Sequence, residues 1–104
     1  MLLNGKVIEI VSYTSENIDD DLIIYNESFK KIIILNHTAK YVWNLIVGCY
    51  NNGEDIEVSD IVSHIKDVYN ISQCEDDNIY NDVEETLDLF FKASLLRCSD
   101  EEHN

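Results

Sequence analysis

The stretch covering residues 30–46, KKIIILNHTAKYVWNLI, constrains the fold more than any other part of the chain. It contains four consecutive aliphatic residues at positions 32–35, three of them β-branched, which is typical of a packed β-strand. The apolar spacing then changes to three and four, which is typical of a helix whose start Asn36 and Thr38 can cap. A strand that runs into a helix with almost no loop is expected to be the last of its sheet. It would then have one free edge, where another chain can add a strand.

Hydrophobic patterning elsewhere predicts two strands before this stretch and two further helices after it. Strands are expected over residues 7–13, 22–26 and 30–35, with a loop over 14–21 and a turn over 26–29. Helices are expected over about 38–49, 58–69 and 78–94, with a polar, acidic connection over 70–77. This order predicts an α+β fold resembling a winged helix, with a three-stranded antiparallel sheet followed by three helices.

The charge balance restricts the partners that this chain can have. It carries 21 acidic and 7 basic residues in 104, a formal net charge of −14. Such a surface repels phosphate backbones, so we expect no nucleic-acid partner, and it favours a basic peptide or enzyme face. A role of the charge in solubility alone is an open alternative.

Length and hydropathy set the expected organisation and location of the protein. We expect one domain over residues 1–98 and a polar C-terminal tail over residues 99–104. Apolar runs of at most four residues predict no membrane partner, and the N-terminus does not resemble a signal peptide. The cytoplasm is therefore the expected location.

Residues that could carry chemistry are scattered along the sequence. Three cysteines and three histidines show no metal-ligand spacing, and no glycine-rich phosphate loop is present. They are Cys49, Cys74 and Cys98, and His37, His64 and His103. We predict reduced thiols, no metal, no cofactor and no catalytic residue, because the many carboxylates fall on predicted outer faces or loops.

Three groups of residues, in order along the chain, match the pattern of a known family. They are Leu35, Asn36, Thr38, Ala39 and Trp43; then Ile61, Ile65 and Tyr69; and then Asp82, Val83, Leu87, Phe90, Leu95 and Leu96. With these residues the chain resembles the PqqD-like family, the peptide-binding domains known as RiPP recognition elements, over about residues 22–96. Two departures are Ser94, where the family has a glycine, and a longer, more acidic connection before Asp82.

The resemblance implies a function in the modification of ribosomally made peptides. Family members bind the leader of a precursor peptide as a strand added to their third strand, in a groove closed by the third helix. They perform no chemistry and hand the peptide to a modifying enzyme, such as a radical-SAM maturase, a cyclase or a leader peptidase. The peptide-binding residues implied for this chain are Lys31, Ile32, Ile33, Ile34, Leu35, Tyr80, Val83, Glu84, Leu87 and Phe91.

Residue patterns alone leave other roles open for part of this set. Alternate strand residues face opposite sides, so one pair from residues 32–35 is expected in the core and the other on the far face. For Val83, Leu87 and Phe91 a core position is an alternative to peptide contact, and for Tyr80 and Glu84 plain solvation is an alternative.

Two other functions also fit the predicted topology. One is a winged-helix DNA-binding regulator, although the second and third helices carry only Lys66 and Lys92 as basic residues. The other is a structural subunit of an enzyme complex that binds no peptide.

Overall fold

The computed structural model describes residues 1–69 and 76–98. Within them the chain forms two antiparallel three-stranded sheets, ordered β1-β2-β6 and β3-β4-β5, and three helices. The elements are β1 (Leu2–Leu3), β2 (Lys6–Ile10), β3 (Tyr13–Ile18), β4 (Asp21–Asn26), β5 (Lys31–Leu35), α1 (His37–Asn52), α2 (Val58–Tyr69), α3 (Asp76–Lys92) and β6 (Leu96–Cys98). The α+β class is confirmed, with a three-stranded antiparallel sheet and three helices.

The N-terminal part of the chain differs from the prediction. The single strand expected over residues 7–13 is in fact the end of β2 and the start of β3, which lie in different sheets. The loop expected over residues 14–21 is wrong, because residues 14–18 pair with β4 along their whole length. Five of the six β3 side chains are exposed, so β3 lacks the apolar alternation by which a strand is recognised.

The short strands β1 and β6 were not predicted either. β1 and β2 form a hairpin whose two-residue turn, Asn4 and Gly5, has positive φ angles of 53° and 82°. An Asn-Gly pair is a strong hairpin signal because both residues tolerate positive φ. β6 completes this sheet by pairing with β2, and the exposed ion pair of Arg97 with Glu9, at 2.9 Å, joins the two strands.

The core is one cluster that includes residues of both sheets and of the three helices. Within it Trp43 of α1 and Phe90 of α3 meet edge to face, with ring centroids 5.0 Å apart, and Tyr13 also meets Trp43 edge to face, at a centroid distance of 5.3 Å. Trp43 and Phe90 are almost completely buried. Burial of apolar surface of this kind is the main favourable contribution to folding.

Local signals explain where the helices begin and end. The Asn36 side chain accepts a hydrogen bond from the Ala39 N–H at 2.9 Å, which caps α1, and Gly53 ends α1 in the left-handed conformation at φ 72°. α1 is therefore longer than the expected 38–49. α2 has the predicted bounds, and α3 begins and ends two residues before its predicted limits.

Some predictions lie outside the described residues. These are most of the acidic connection over residues 70–77, the cysteine at position 74, the histidine at position 103 and the tail over residues 99–104. In the described part, Cys49 is a free cysteine, and no helix is both long and apolar enough to cross a membrane.

Candidate peptide-binding site

Strand β5 has one unpaired edge. It pairs with β4 in antiparallel register, from Asn26 opposite Lys31 to Leu22 opposite Leu35. No other strand in the described part of the chain pairs with it, so β5 is an edge of the β3-β4-β5 sheet. Backbone N–H and C=O groups along such an edge can accept an additional strand.

The four aliphatic residues of β5 divide between two faces of the sheet. Ile33 and Leu35 are 9% and 0% exposed and belong to the core, whereas Ile32 and Ile34 are 69% and 62% exposed. The expected division into opposite pairs is therefore confirmed, and the buried pair is identified. Ile32 lies opposite Tyr25 and Ile34 opposite Ile23, so the outer face of the sheet is apolar next to the free edge.

Asn26 ties the turn before β5 to the end of α3. Its side chain is fully buried, and its amide N–H group donates to the carbonyl oxygens of Ala93 and Ser94, both at 3.0 Å. Its side-chain oxygen accepts from the backbone N–H groups of Ser28 and Phe29. These four bonds satisfy the buried amide and hold the C-terminal end of α3 beside the start of β5. The sequence pattern predicts only the turn role of Asn26.

A small pocket of about 250 Å³ lies past the other end of β5. It is lined by Thr38, Val42, Ile65, Tyr69, Ile79, Asp82, Val83 and Thr86. Thr38 follows the end of β5 by three residues, and Asp82 belongs to the N-terminal half of α3. Because Asn26 holds the opposite end of α3, this helix runs in the reverse direction to β5.

A larger groove of about 520 Å³ lies on the other flank of α3, against the β1-β2-β6 sheet. Its lining residues include the predicted site residues Glu84, Leu87 and Phe91, and none of them belongs to β5. Its other lining residues are Leu3, Asn4, Lys6, Ile8, Val58, Asp88 and Cys98. Of the predicted α3 residues, Glu84, Leu87 and Phe91 therefore line a groove that contains no β5 residue, Val83 lines the small pocket, and Tyr80 lines neither.

Burial further divides the predicted α3 residues. Val83 and Leu87 are core residues, 1% and 7% exposed, while Phe91 is half-buried. Tyr80 is 39% exposed and Glu84 is exposed, and their spacing places both on one side of the helix. Contact of these residues with a peptide stays a prediction.

The described residues include one thiol with a shifted pKa and no cluster that could hold a metal ion. Burial, followed by the nearby Glu54 and Asp60 carboxylates, raises the pKa of the Cys49 thiol. A raised pKa disfavours the thiolate, which is the reactive form of cysteine. In the described ranges, no group of three or more His, Cys, Asp or Glu side chains could hold a metal ion.

Comparison with known proteins identifies the family. The family model described as Coenzyme PQQ synthesis protein D (PqqD) matches residues 21–96. The chain belongs to the PqqD family. The PqqD match begins at the first residue of β4 and ends at the first residue of β6, so the PqqD region contains β4, β5 and all three helices.

A solved structure of TbiB1 in complex with the TbiA(beta) leader peptide has the same fold as this PqqD-family chain. The TM-score is 0.65 at 19% sequence identity, and the match covers 86% of this chain and 95% of the TbiB1 chain. No curated protein matches the sequence.

Proposed function

We propose that this PqqD-family protein captures the leader of a ribosomally synthesised precursor peptide and presents it to a modifying enzyme. The free edge of β5 carries this proposal, because it combines unpaired backbone groups with the exposed side chains of Ile32 and Ile34. An extended peptide can pair with that edge, and its alternate side chains can pack on the apolar outer face. Support comes from family membership and from the shared fold of TbiB1, which was solved with a leader peptide.

The strand residues contribute to the proposed site in different ways. Lys31, Ile32 and Ile34 have exposed side chains that can contact the leader, whereas the side chains of Ile33 and Leu35 lie in the core. Backbone groups of consecutive residues point to opposite edges of a strand, so only alternate residues of β5 can pair with the leader. The leader contacts predicted for Tyr80, Val83, Glu84, Leu87 and Phe91 remain part of the proposal, with Val83 the one that lines the pocket past β5.

The protein acts in this scheme as a single peptide-binding domain over residues 1–98 that catalyses no reaction. The partner enzyme is a radical-SAM maturase, a cyclase, a leader peptidase or a similar enzyme. The cytoplasmic location expected from the sequence also stays a prediction.

Isothermal titration with the precursor peptide encoded beside this gene tests the proposal. Ile34→Lys should weaken binding about tenfold or more, since loss of one buried aliphatic contact costs roughly 1.5–3 kcal/mol. Ile34 is already exposed in the free protein, so this variant should fold normally. A wild-type protein that gives no heat with any neighbouring precursor would refute the proposal.

Ile18→Lys is the matched control for this experiment. Ile18 is 47% exposed, and the pairing register places it on the same outer face as Ile34 but on β3, at the opposite edge of the sheet. Ile18→Lys makes the same side-chain replacement and adds the same charge as Ile34→Lys. Its affinity for the leader should equal that of the wild type. Equal weakening by both variants would contradict binding at the β5 edge.

The two other functions predict different results. A DNA-binding regulator would shift a DNA duplex in a gel at low salt, which the net charge of −14 opposes. A structural subunit would co-purify with an enzyme and show no response to any precursor.

A further inference from the structure

The pocket past the end of β5 has the size of a subsite for one side chain. Its volume of about 250 Å³ lies below the roughly 300–1,000 Å³ of pockets that hold drug-sized ligands. It is lined by the first two turns of α1, the last two turns of α2 and the first three turns of α3. A peptide that pairs with β5 and continues past Leu35 would reach Thr38 at the wall of this pocket.

The walls of the pocket suit an alkyl chain. Val42, Ile65 and Val83 are buried aliphatic residues that line it. The ring of Tyr69 forms a further wall and is held edge to face by His37 and Tyr41, with centroid distances of 5.7 and 6.2 Å. These two aromatic contacts fix the Tyr69 ring before any ligand arrives.

Two polar groups of the pocket lack partners in the described residues. The Tyr69 hydroxyl is buried and makes no hydrogen bond there. The Asp82 side chain is exposed at the pocket and takes part in none of the ion pairs or hydrogen bonds of the described chain. Asp82 lies in the second turn of α3 and is therefore not at its N-cap position. A buried hydroxyl without a partner is destabilising, so a ligand that supplies one gains affinity.

We propose that this pocket receives a lysine or arginine side chain of the leader, an inference that rests on the leader-binding function proposed above. The alkyl stem packs against the aliphatic walls and the Tyr69 ring. The cationic head meets the Asp82 carboxylate and donates a hydrogen bond to the Tyr69 hydroxyl oxygen. The hydroxyl is covered in the free protein, so the surrounding side chains must shift for the head to reach it.

Other side chains fit this pocket less well. A carboxylate would be repelled by Asp82 and by the net charge of −14. An aliphatic side chain would leave the Tyr69 hydroxyl unpaired. A cation satisfies both polar groups, and the overall charge also speeds its approach.

Titration of Asp82→Asn with the leader encoded beside the gene tests the subsite. We expect leader affinity to fall about tenfold, since a charge-assisted contact is lost. Glu85→Gln is the matched control, because it removes the same charge from an exposed position of α3 that does not line the pocket. It should change affinity less than about twofold, within the range of a rim charge screened by solvent.

Tyr69→Phe separates the hydroxyl from the ring. Leader affinity should fall about threefold to tenfold, the range of one hydrogen bond. The melting temperature of the free protein should stay equal or rise, because the lost hydroxyl had no partner in the described chain. A double-mutant cycle that combines Asp82→Asn with replacement of each leader Lys or Arg by Met should show coupling at one leader position only.

The outcomes distinguish the subsite from the proposed function. If the leader binds and Ile34→Lys weakens it but Asp82→Asn does not, the subsite is refuted and leader capture stands. A tightly bound leader without Lys or Arg also refutes the subsite alone. If no neighbouring precursor binds the wild-type protein, the proposed function itself fails.

Discussion

Ser94 occupies a backbone conformation that favours glycine. Its φ is 61°, and it follows α3 at the position where the sequence departs from the family glycine. The Leu95 N–H donates to the Phe90 carbonyl and the Ser94 N–H to the Phe91 carbonyl, both at 3.0 Å, so the helix ends in a Schellman motif. The departure is therefore a strained cap, and the fold retains the motif with serine in place of glycine.

Ser94→Gly should stabilise the protein by roughly 0.5–1 kcal/mol. Relief of the left-handed conformation is worth about 1–2 kcal/mol, and the greater freedom of glycine in the unfolded chain offsets about 0.4–1 kcal/mol of that. Chemical denaturation measures the difference. Ala93→Gly is the control, because Ala93 has no positive φ and its replacement should destabilise. Destabilisation by Ser94→Gly would contradict the strained-cap interpretation.

The residues of the site differ in how far sequence could predict them. Alternation along residues 32–35 required two opposite pairs, and this is confirmed. Which pair is buried depends on the side of the sheet that the helices cover, which is a tertiary property. The link between Asn26 and the end of α3 could not be predicted, because the two carbonyl groups that the Asn26 side chain binds are 67 and 68 residues away in sequence.

At the scale of elements, the join between β5 and α1 positions the free edge. Asn36 ends the strand and caps the helix, and its side-chain oxygen accepts from the Ala39 N–H. The first turn of α1 contains no acidic residue that could interact with the helix dipole. The Asn36 side chain is therefore the polar group that stabilises the start of α1.

Two replacements of the N-cap residue Asn36 should affect the stability of the protein differently. Asn36→Ala should cost about 1 kcal/mol, the usual cost of losing an N-cap. Asn36→Asp should keep the hydrogen bond and add a favourable charge, so stability should be equal or up to about 1 kcal/mol higher at low salt. Thermal unfolding of both variants checks this. Asn44→Ala, at an exposed position inside α1, should not destabilise the protein, because alanine is the better helix former.

A helix whose apolar residues recur at regular spacing agrees with its prediction. Strands that form only by pairing with another strand do not. α2 has the predicted bounds because its apolar residues recur at helical spacing next to polar ones. The polar side chains of β3 predict a loop, whereas its strand conformation comes from pairing with β4. β6 is three residues long and pairs with β2, about 88 residues earlier, so no local signal could reveal it.

On the scale of the whole molecule, the charge works against the folded state. Carboxylates outnumber basic side chains by 21 to 7, and compaction brings them together. The exposed ion pair of Arg97 and Glu9, 70% and 43% exposed, offsets little of this, since pairs in solvent contribute weakly. Salt weakens both repulsion and attraction between charges. Because like charges dominate here, we expect the weakened repulsion to have the larger effect on stability.

The melting temperature at pH 7 should therefore rise when NaCl is increased from about 20 to 300 mM. Screening shortens the Debye length from roughly 20 Å to below 8 Å, so repulsion between distant carboxylates weakens. A gain of about 1 kcal/mol corresponds to a rise of about 5 °C for a domain of this size. A fall in melting temperature with salt would show that attractive pairs dominate instead.

The same salt should slow the association of a cationic leader, so stability and the rate of capture should respond to salt with opposite signs.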